Sequence, residues 1–82
     1  MTDAEIRAVV FTELTRIAPE VDPAELVSTV PLRDQVDLDS MDWLNLLVAL
    51  HERLGVDIPE SDYARLVTLD DLVGYLQGKQ PT

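Results

Sequence analysis

Residues 37–55 read DLDSMDWLNLLVALHERLG, and this stretch decides what kind of fold the chain can form. At the repeat of an α-helix, its large apolar side chains fall on one arc that would face a core. The carboxylate of Asp39 can accept hydrogen bonds from the free N–H groups of the first turn, and Gly55 is typical of a helix end. The stretch therefore predicts a helix from Ser40 to Leu54, with a buried arc of Trp43, Leu46, Leu47, Leu50 and Leu54.

The opposite face of this helix mixes apolar and polar side chains. Met41, Leu44 and Val48 are apolar, and they stand beside Asn45 and Glu52. Apolar groups that a helix leaves in solvent next to acidic ones mark a surface that a partner protein can bind. We therefore expect the outer face to serve binding, while the inner arc serves folding.

A first helix is predicted over residues 3–17, which carry an apolar stripe at helical spacing. Thr2 and Glu5 have the spacing of a capping box at its start. Pro19 stops the helix, because proline cannot continue the hydrogen-bond ladder and restricts Ala18.

The part that follows the central helix is predicted to contain a short helix and a longer one. Residues 60–66 have room for only one or two turns, after the extended link that contains Ile58-Pro59. Residues 69–76 again show a helical apolar stripe, and Thr68 with Asp71 resembles a capping pair at its start.

Residues 18–39 form a long connection that contains three prolines. Asp22 followed by Pro23 indicates a cap and a proline at the first helical position, which predicts a single turn. Loops of this length are uncommon inside compact domains and are often functional. We expect this one to be ordered, because four apolar side chains can pin it across the helices: Val30, Leu32, Val36 and Leu38.

These segments together predict an all-α fold, a small four-helix bundle with three main helices, one short helix and a long first loop. A chain of 82 residues is long enough for one domain with a modest core. Because no repeat or shift in composition divides it, we expect residues 1–82 to form that single domain. Gly78 and Pro81 predict a frayed end over residues 78–82.

The charge of the chain limits its partners. Sixteen acidic residues against six basic ones give a formal net charge of −10. Nucleic acids and anionic membranes attract clustered Lys and Arg, so neither is expected as a partner, and basic protein surfaces are favoured instead. The chain has no cysteine, its start lacks the apolar region of a signal peptide, and its longest apolar run is too short to span a bilayer. We expect a cytoplasmic monomer.

No group of residues has the pattern of a self-contained active site. His51 is the only histidine, and Ser40 stands eleven residues before it on the same helix, roughly 16 Å away at the rise of a helix. An EF-hand loop starting at Asp37 would place the apolar Met41 and Val48 where calcium loops need an oxygen ligand and a glutamate. We therefore expect no catalytic residue and no resident metal, and a small enzyme is the least favoured hypothesis.

Residues 39–42, Asp-Ser-Met-Asp, stand where the long loop meets the central helix. The string alone is an ordinary helix start. Combined with Leu46–Leu50, with the Ile58-Pro59 link and with Thr68 opening the last helix, it resembles the acyl carrier proteins. The likeness covers about the whole chain, and this combination is far more specific than Asp-Ser-Met alone.

The resemblance implies a carrier that is not itself a catalyst. A phosphopantetheinyl transferase would attach phosphopantetheine from coenzyme A to the hydroxyl of Ser40, beside Asp39. The terminal thiol would then hold an acyl or aminoacyl group as a thioester. Acidic groups on both sides of Ser40 could hold a divalent metal that the transferase brings. The cargo would shelter between the helices in a pocket lined by Trp43, Leu46, Leu47, Leu50 and Leu66.

The resemblance also implies partners, namely loading and processing enzymes with basic docking surfaces, in fatty acid biosynthesis and lipid metabolism. Charge is expected to govern the rate of encounter more than the final affinity. By position, the partner-binding residues would be Asp39, Met41, Asp42, Leu44, Val48 and Glu52.

Several positions depart from the family pattern. Asp37 stands where the family usually has glycine, Trp43 is large for its place, and Asn45, His51 and Arg53 stand where carboxylates are common. These departures favour a specialised member of the family over the housekeeping fatty-acid carrier. They also motivate an alternative, an unmodified acidic helical interaction module with the same fold.

Overall fold

The computed structural model describes residues 1–79, and the regular elements in that range are all helices, without a β-strand. Four α-helices follow one another along the chain: α1 (Asp3–Ile17), α2 (Leu32–Gln35), α3 (Ser40–Leu54) and α4 (Leu69–Lys79). Two 3-10 helices lie between them: η1 (Pro23–Glu25) and η2 (Glu60–Arg65). The predicted all-α class is confirmed. Within residues 1–79, no helix combines the length and the apolar character needed to cross a membrane.

Most of the helix bounds agree with the sequence prediction. Helices α1 and α3 begin and end at the predicted residues, and η1 and η2 form where short turns were expected. Helix α4 continues to Lys79 instead of ending at residue 76. Gly78 and Lys79 are therefore helical rather than frayed, and the expected fraying of residues 80–82 lies outside the described residues. The single turn α2 was not predicted, because four residues are too few to show a helical period.

The helix ends are made by the local signals in the sequence. The Thr2 hydroxyl accepts a hydrogen bond from the Glu5 backbone at 3.2 Å, and the Glu5 carboxylate accepts one from the Thr2 backbone at 3.0 Å. Thr68 and Asp71 exchange the same pair of bonds ahead of α4. These backbone bonds lower the pKa values of Glu5 and Asp71, so both carboxylates stay charged to a lower pH than free ones. Gly55 ends α3 in the left-handed conformation, at a φ of 64°.

The core lies where α1 packs against α3 and α4. The inner arc of α3 is confirmed for Leu46, Leu47 and Leu50, while Trp43 and Leu54 are half-buried and pack against the edge of the core. Apolar burial of this kind is the main favourable contribution to folding. The fully buried side chains of the three long helices include Ile6, Val10, Leu14, Leu46, Leu50, Leu72 and Leu76.

The long first loop is held by both apolar and backbone contacts. Leu32, Val36 and Leu38 are buried as predicted, but the prediction was wrong for Val30, whose side chain is 37% exposed. Val30 lies in a turn, and its backbone carbonyl accepts a hydrogen bond from the side-chain amide of Gln35 at 2.8 Å. A hydrogen bond from the Gln35 side chain, rather than an apolar contact, therefore holds this part of the loop.

Backbone bonds also tie the loop to the segment that leads into α4. The Leu32 N–H donates to the carbonyl of Val67 at 3.0 Å, and the Asp70 N–H donates to the carbonyl of Ser28 at 3.1 Å. Pro31 and Thr68 form an isolated antiparallel bridge beside them. These bonds hold the start of α2 against the segment between η2 and α4.

Candidate functional site at the start of helix α3

Ser40 is the first residue of α3, and its side chain is exposed. The side-chain cap comes from Asp39, whose carboxylate accepts a hydrogen bond from the Asp42 N–H at 2.8 Å. The Asp39 carbonyl also accepts the first backbone bond of the helix, from the Trp43 N–H at 3.0 Å. The helix start therefore does not depend on the Ser40 hydroxyl, which sits in solvent on a rigid element.

Two carboxylates stand on either side of Ser40. Asp39 is exposed and Asp42 is half-buried, and both lie at the N-terminus of α3, where the helix dipole favours negative charge. Within residues 1–79, no group of three or more His, Asp or Glu side chains is arranged to hold a metal ion. These two carboxylates by themselves form an open acidic site rather than a metal cage.

The outer face of α3 leads away from Ser40 and presents the expected apolar stripe to solvent. Met41 is 63% exposed, Leu44 38% and Val48 42%. Glu52 lies further along the same face and is exposed as well. Apart from the half-buried Asp42, every residue predicted to bind partners is thus accessible.

A groove of about 260 Å³ opens beside the first turn of α3. Its walls are mainly apolar and aromatic, and they come from three separate segments: the α2 region, α3 and η2. Trp43 and Tyr63 are half-buried there, and Leu66 is nearly fully buried. The lining residues are Pro31, Arg33, Trp43, Tyr63, Ala64, Leu66 and Val67.

The residues predicted to line an acyl pocket divide into two groups. Trp43 and Leu66 line the groove. Leu46 and Leu50 are fully buried in the core, and Leu47 lines a smaller cavity of about 140 Å³. Tyr63 contributes to the walls of both the groove and this cavity. Only two of the five residues predicted to line the acyl pocket, Trp43 and Leu66, therefore lie at the groove.

Several lining residues of the groove were not identified from the sequence. Tyr63 and Ala64 lie on η2 and Arg33 lies on α2, and neither element is long enough to show a helical period. These three residues are exposed or half-buried and come from segments far apart in the sequence, so no sequence pattern groups them. A signal was present only for Tyr63, as an aromatic residue in an otherwise polar turn.

Comparison with known proteins agrees with this geometry. The family model of the phosphopantetheine attachment site matches residues 8–76. An acyl carrier protein of Rhodococcus erythropolis is 32% identical over 71 residues, which cover 83% of this chain and 78% of that protein. The chain belongs to the acyl carrier protein family.

Other acyl carrier proteins are similar over most of this chain. The meromycolate extension acyl carrier protein of Mycobacterium tuberculosis is 31% identical over 77 residues, which cover 94% of this chain and 66% of that protein. A solved structure of the acyl carrier protein from Enterococcus faecalis matches with a TM-score of 0.76, covering 98% of this chain and all of that one. At 17% identity, this second likeness concerns the fold alone.

Membership of the family establishes the kind of work that this acyl carrier protein does. It is a carrier and not an enzyme, and it bears a phosphopantetheine arm for acyl intermediates in fatty acid and lipid metabolism. Proteins of this family interact with a phosphopantetheinyl transferase and with acyl-processing enzymes. The residues at the start of α3 suit such an arm, because Ser40 is exposed on the same helix turn from which Trp43 lines a mainly apolar groove.

Proposed function

We propose that Ser40 carries the phosphopantetheine arm of this protein. The observation that supports it is that Asp39, and not Ser40, caps α3, which leaves the exposed Ser40 hydroxyl free to react. In the attachment, the Ser40 oxygen forms a bond to the phosphorus next to the pantetheine of coenzyme A. The pyrophosphate bond breaks, adenosine 3′,5′-bisphosphate leaves, and the hydroxyl proton passes to a base of the transferase.

In this function the chain fixes where the arm is attached, and it supplies no reactive group to the thioester. When bound, the arm supplies a thiol that holds the acyl group as a thioester. Asp39 fixes the first turn of α3 and so fixes the point from which the arm starts. A flexible arm on a rigid base raises the effective concentration of cargo at the active site of each partner.

The attachment is tested by intact-mass measurement after incubation with coenzyme A, magnesium and a broad-specificity transferase. The wild-type chain should gain the mass of one phosphopantetheine group, and Ser40→Ala should gain none. Ser61→Ala is the matched control, because Ser61 is an exposed serine on η2, and this variant should gain the full mass. A wild-type chain without a mass gain would refute the proposal and favour the unmodified interaction module. A gain that survives Ser40→Ala would also refute it and would place the attachment at another residue.

The outer face of α3 is the proposed docking surface for the transferase and for the loading and processing enzymes. Its exposed apolar stripe, Met41, Leu44 and Val48, lies between acidic groups at both ends. An interface of this composition fits a partner with an apolar patch inside a basic rim. Asp39, Asp42 and Glu52 would then guide encounter, and the two carboxylates beside Ser40 would accept a divalent metal that the transferase brings.

We infer a specialised carrier rather than the housekeeping one. His51 and Arg53, which make α3 less acidic, both have contacts within the protein. The His51 ring lies 2.7 Å from the Val56 carbonyl, and Arg53 donates a hydrogen bond to Glu13 at 2.8 Å. Trp43 at the groove adds a large aromatic wall. Intact-mass analysis of the protein purified from its native cell would identify the cargo. An ordinary fatty acyl series on the arm would contradict this inference.

We further propose that residues 1–82 act as one domain and as a cytoplasmic monomer. The shared core of the three long helices supports a single domain, and the net charge of −10 opposes self-association. Sedimentation of the purified chain tests the monomer, and a stable dimer at micromolar concentration would contradict it.

A further inference from the structure

Arg33 differs from the other arginines of this acidic chain. Within residues 1–79 it is the one arginine without a carboxylate oxygen within 4.0 Å, although the chain has sixteen acidic residues. The closest carboxylate contacts of the others range from 2.8 to 3.7 Å, at Arg7, Arg16, Arg53 and Arg65. A guanidinium that its own protein leaves unneutralised is available to bind an anion from outside.

The backbone that leads into α3 holds this arginine close to Ser40. The Nε of Arg33 donates a hydrogen bond to the carbonyl of Leu38 at 3.3 Å. Leu38 precedes Ser40 by two residues, so their Cα atoms are at most about 7.6 Å apart. This bond uses one of the five N–H donors of the guanidinium, and the four on the two terminal nitrogens remain.

Arg33 also brings the only charge to the lining of the groove, whose other walls are apolar or aromatic. An arm that starts at Ser40 carries a phosphodiester at its base and a longer, less polar chain beyond it. Arg33 at one wall and the rings of Trp43 and Tyr63 at the others match this order of groups. Planar guanidinium groups bind phosphate oxygens through paired, charge-assisted hydrogen bonds.

The charge around Ser40 gives a further reason for a cation there. A phosphodiester adds a negative charge between Asp39 and Asp42, in a chain that already has a net charge of −10. Like charges at such short range repel one another. Arg33 is placed to offset this repulsion, because its guanidinium contacts the backbone immediately before the helix start.

We propose that Arg33 binds the phosphodiester of the arm attached at Ser40 and directs the arm toward the groove beside α3. This inference rests on the proposed attachment at Ser40. It makes Arg33 a positioning residue, and it gives the groove an anion-binding residue whose guanidinium contacts the backbone two residues before the attachment point. The carboxylate of an acyl cargo is the competing anion, and the test separates the two.

The test uses the holo-protein, in which the arm carries the only phosphorus atom. Its ³¹P signal is measured in the wild type, in Arg33→Gln and in Arg65→Gln. Arg65→Gln is the matched control, because it removes the same charge from another exposed arginine. We expect the wild-type ³¹P shift to move on Arg33→Gln and to stay unchanged on Arg65→Gln. The displacement should shrink with salt, since the screening length falls from about 30 Å at 0.01 M to about 3 Å at 1 M.

The Arg33 Nε–H signal of the wild-type chain provides a second measurement that needs no substitution. It should move when the apo-protein is converted into the unloaded holo-protein. A ³¹P shift that is identical in holo wild type and holo Arg33→Gln overturns the proposal. So does an Nε–H signal that moves only after loading with an acyl group that bears a carboxylate. A wild-type chain that gains no arm by mass is a failure of the attachment at Ser40 instead.

Discussion

Asp39 and Ser40 have separate roles at the start of α3: Asp39 caps the helix, and Ser40 presents a free hydroxyl to solvent. Aspartate and serine both cap helices well, so either residue type could have satisfied the free N–H groups of α3. The structure assigns the cap to Asp39, through its 2.8 Å bond with the Asp42 N–H, and leaves Ser40 exposed. With the cap on the adjacent residue, the proposed attachment point is rigid while its hydroxyl stays available.

Substitutions of Asp39 should separate its structural role from its electrostatic role. Asparagine caps a helix about as well as aspartate, so Asp39→Asn should keep the free energy of unfolding within about 0.5 kcal/mol of wild type. Asp39→Ala should lose about 1 kcal/mol, because the first-turn N–H group loses its partner. Both variants should be modified by the transferase more slowly than wild type. Urea denaturation and timed intact-mass measurements test this, and an unchanged modification rate in Asp39→Asn would exclude a role for its charge.

Tyr75 provides a test of stability at high pH. Its hydroxyl donates to the Asp62 carboxylate at 2.6 Å, and burial together with this bond raises the pKa of Tyr75 to about 12. A pKa raised in the folded state means that the neutral phenol stabilises the fold below the unfolded pKa, near 10, and that this contribution is lost as the pH rises toward 12. The melting temperature of wild type should therefore fall between pH 10 and 12.

Tyr75→Phe should be less stable than wild type at pH 8, and the difference should narrow toward pH 12. Comparing the two proteins cancels the groups that titrate in both. Tyr63→Phe is the control, because Tyr63 shares the residue type and is also half-buried. A stability difference between Tyr75→Phe and wild type that is constant from pH 8 to pH 12 would show that the hydrogen bond does not couple to ionisation.

At the scale of the element, the long helices were predictable and the groove was not. Helices α1 and α3 have local start and stop signals, such as the cap of Asp39 and the glycine at position 55, so their ends follow from nearby residues alone. The groove needs Arg33, Trp43 and Tyr63 from three segments to meet. Their meeting depends on the backbone bonds between the first loop and the approach to α4, which no periodicity in the sequence encodes.

The exposed face of α3 should bind partners without contributing to stability. Met41 is 63% exposed, so Met41→Glu should leave the free energy of unfolding within about 0.5 kcal/mol of wild type. The same change places a charge inside the proposed apolar stripe, and transfer by the phosphopantetheinyl transferase should slow about tenfold or more, as for a central interface residue. Kinetic measurements over a range of transferase concentrations test this.

Val27→Glu is the matched control for this surface. Val27 is 51% exposed, but it lies in the first loop, between η1 and α2, and not on α3. The two variants add the same charge to exposed positions, so a general effect of charge would slow both alike. Equal transfer rates for Met41→Glu and Val27→Glu would place the docking surface elsewhere.

At the scale of the whole molecule, an ion pair with a buried carboxylate joins α1 to α3. Glu13 is 6% exposed, and its carboxylate accepts a hydrogen bond from Arg53 at 2.8 Å and lies 3.5 Å from Arg16. This contact gives Arg53 a structural role at the end of α3, because it neutralises a carboxylate that folding removes from water.

Removing Arg53 alone should lower the free energy of unfolding, because the buried carboxylate of Glu13 then loses its closest positive charge. Arg53 is 48% exposed, so the penalty is smaller than for a fully buried pair, and Arg53→Ala should cost about 1–2 kcal/mol. Arg16→Ala should cost less than about 0.5 kcal/mol, since Arg16 is 71% exposed and more distant from Glu13. In a Glu13→Gln background, Arg53→Ala should cost little, because no buried charge remains. Urea denaturation of the four proteins in this cycle measures the coupling, and an equal cost of Arg53→Ala in both backgrounds would show that the two helices are not joined through this charge.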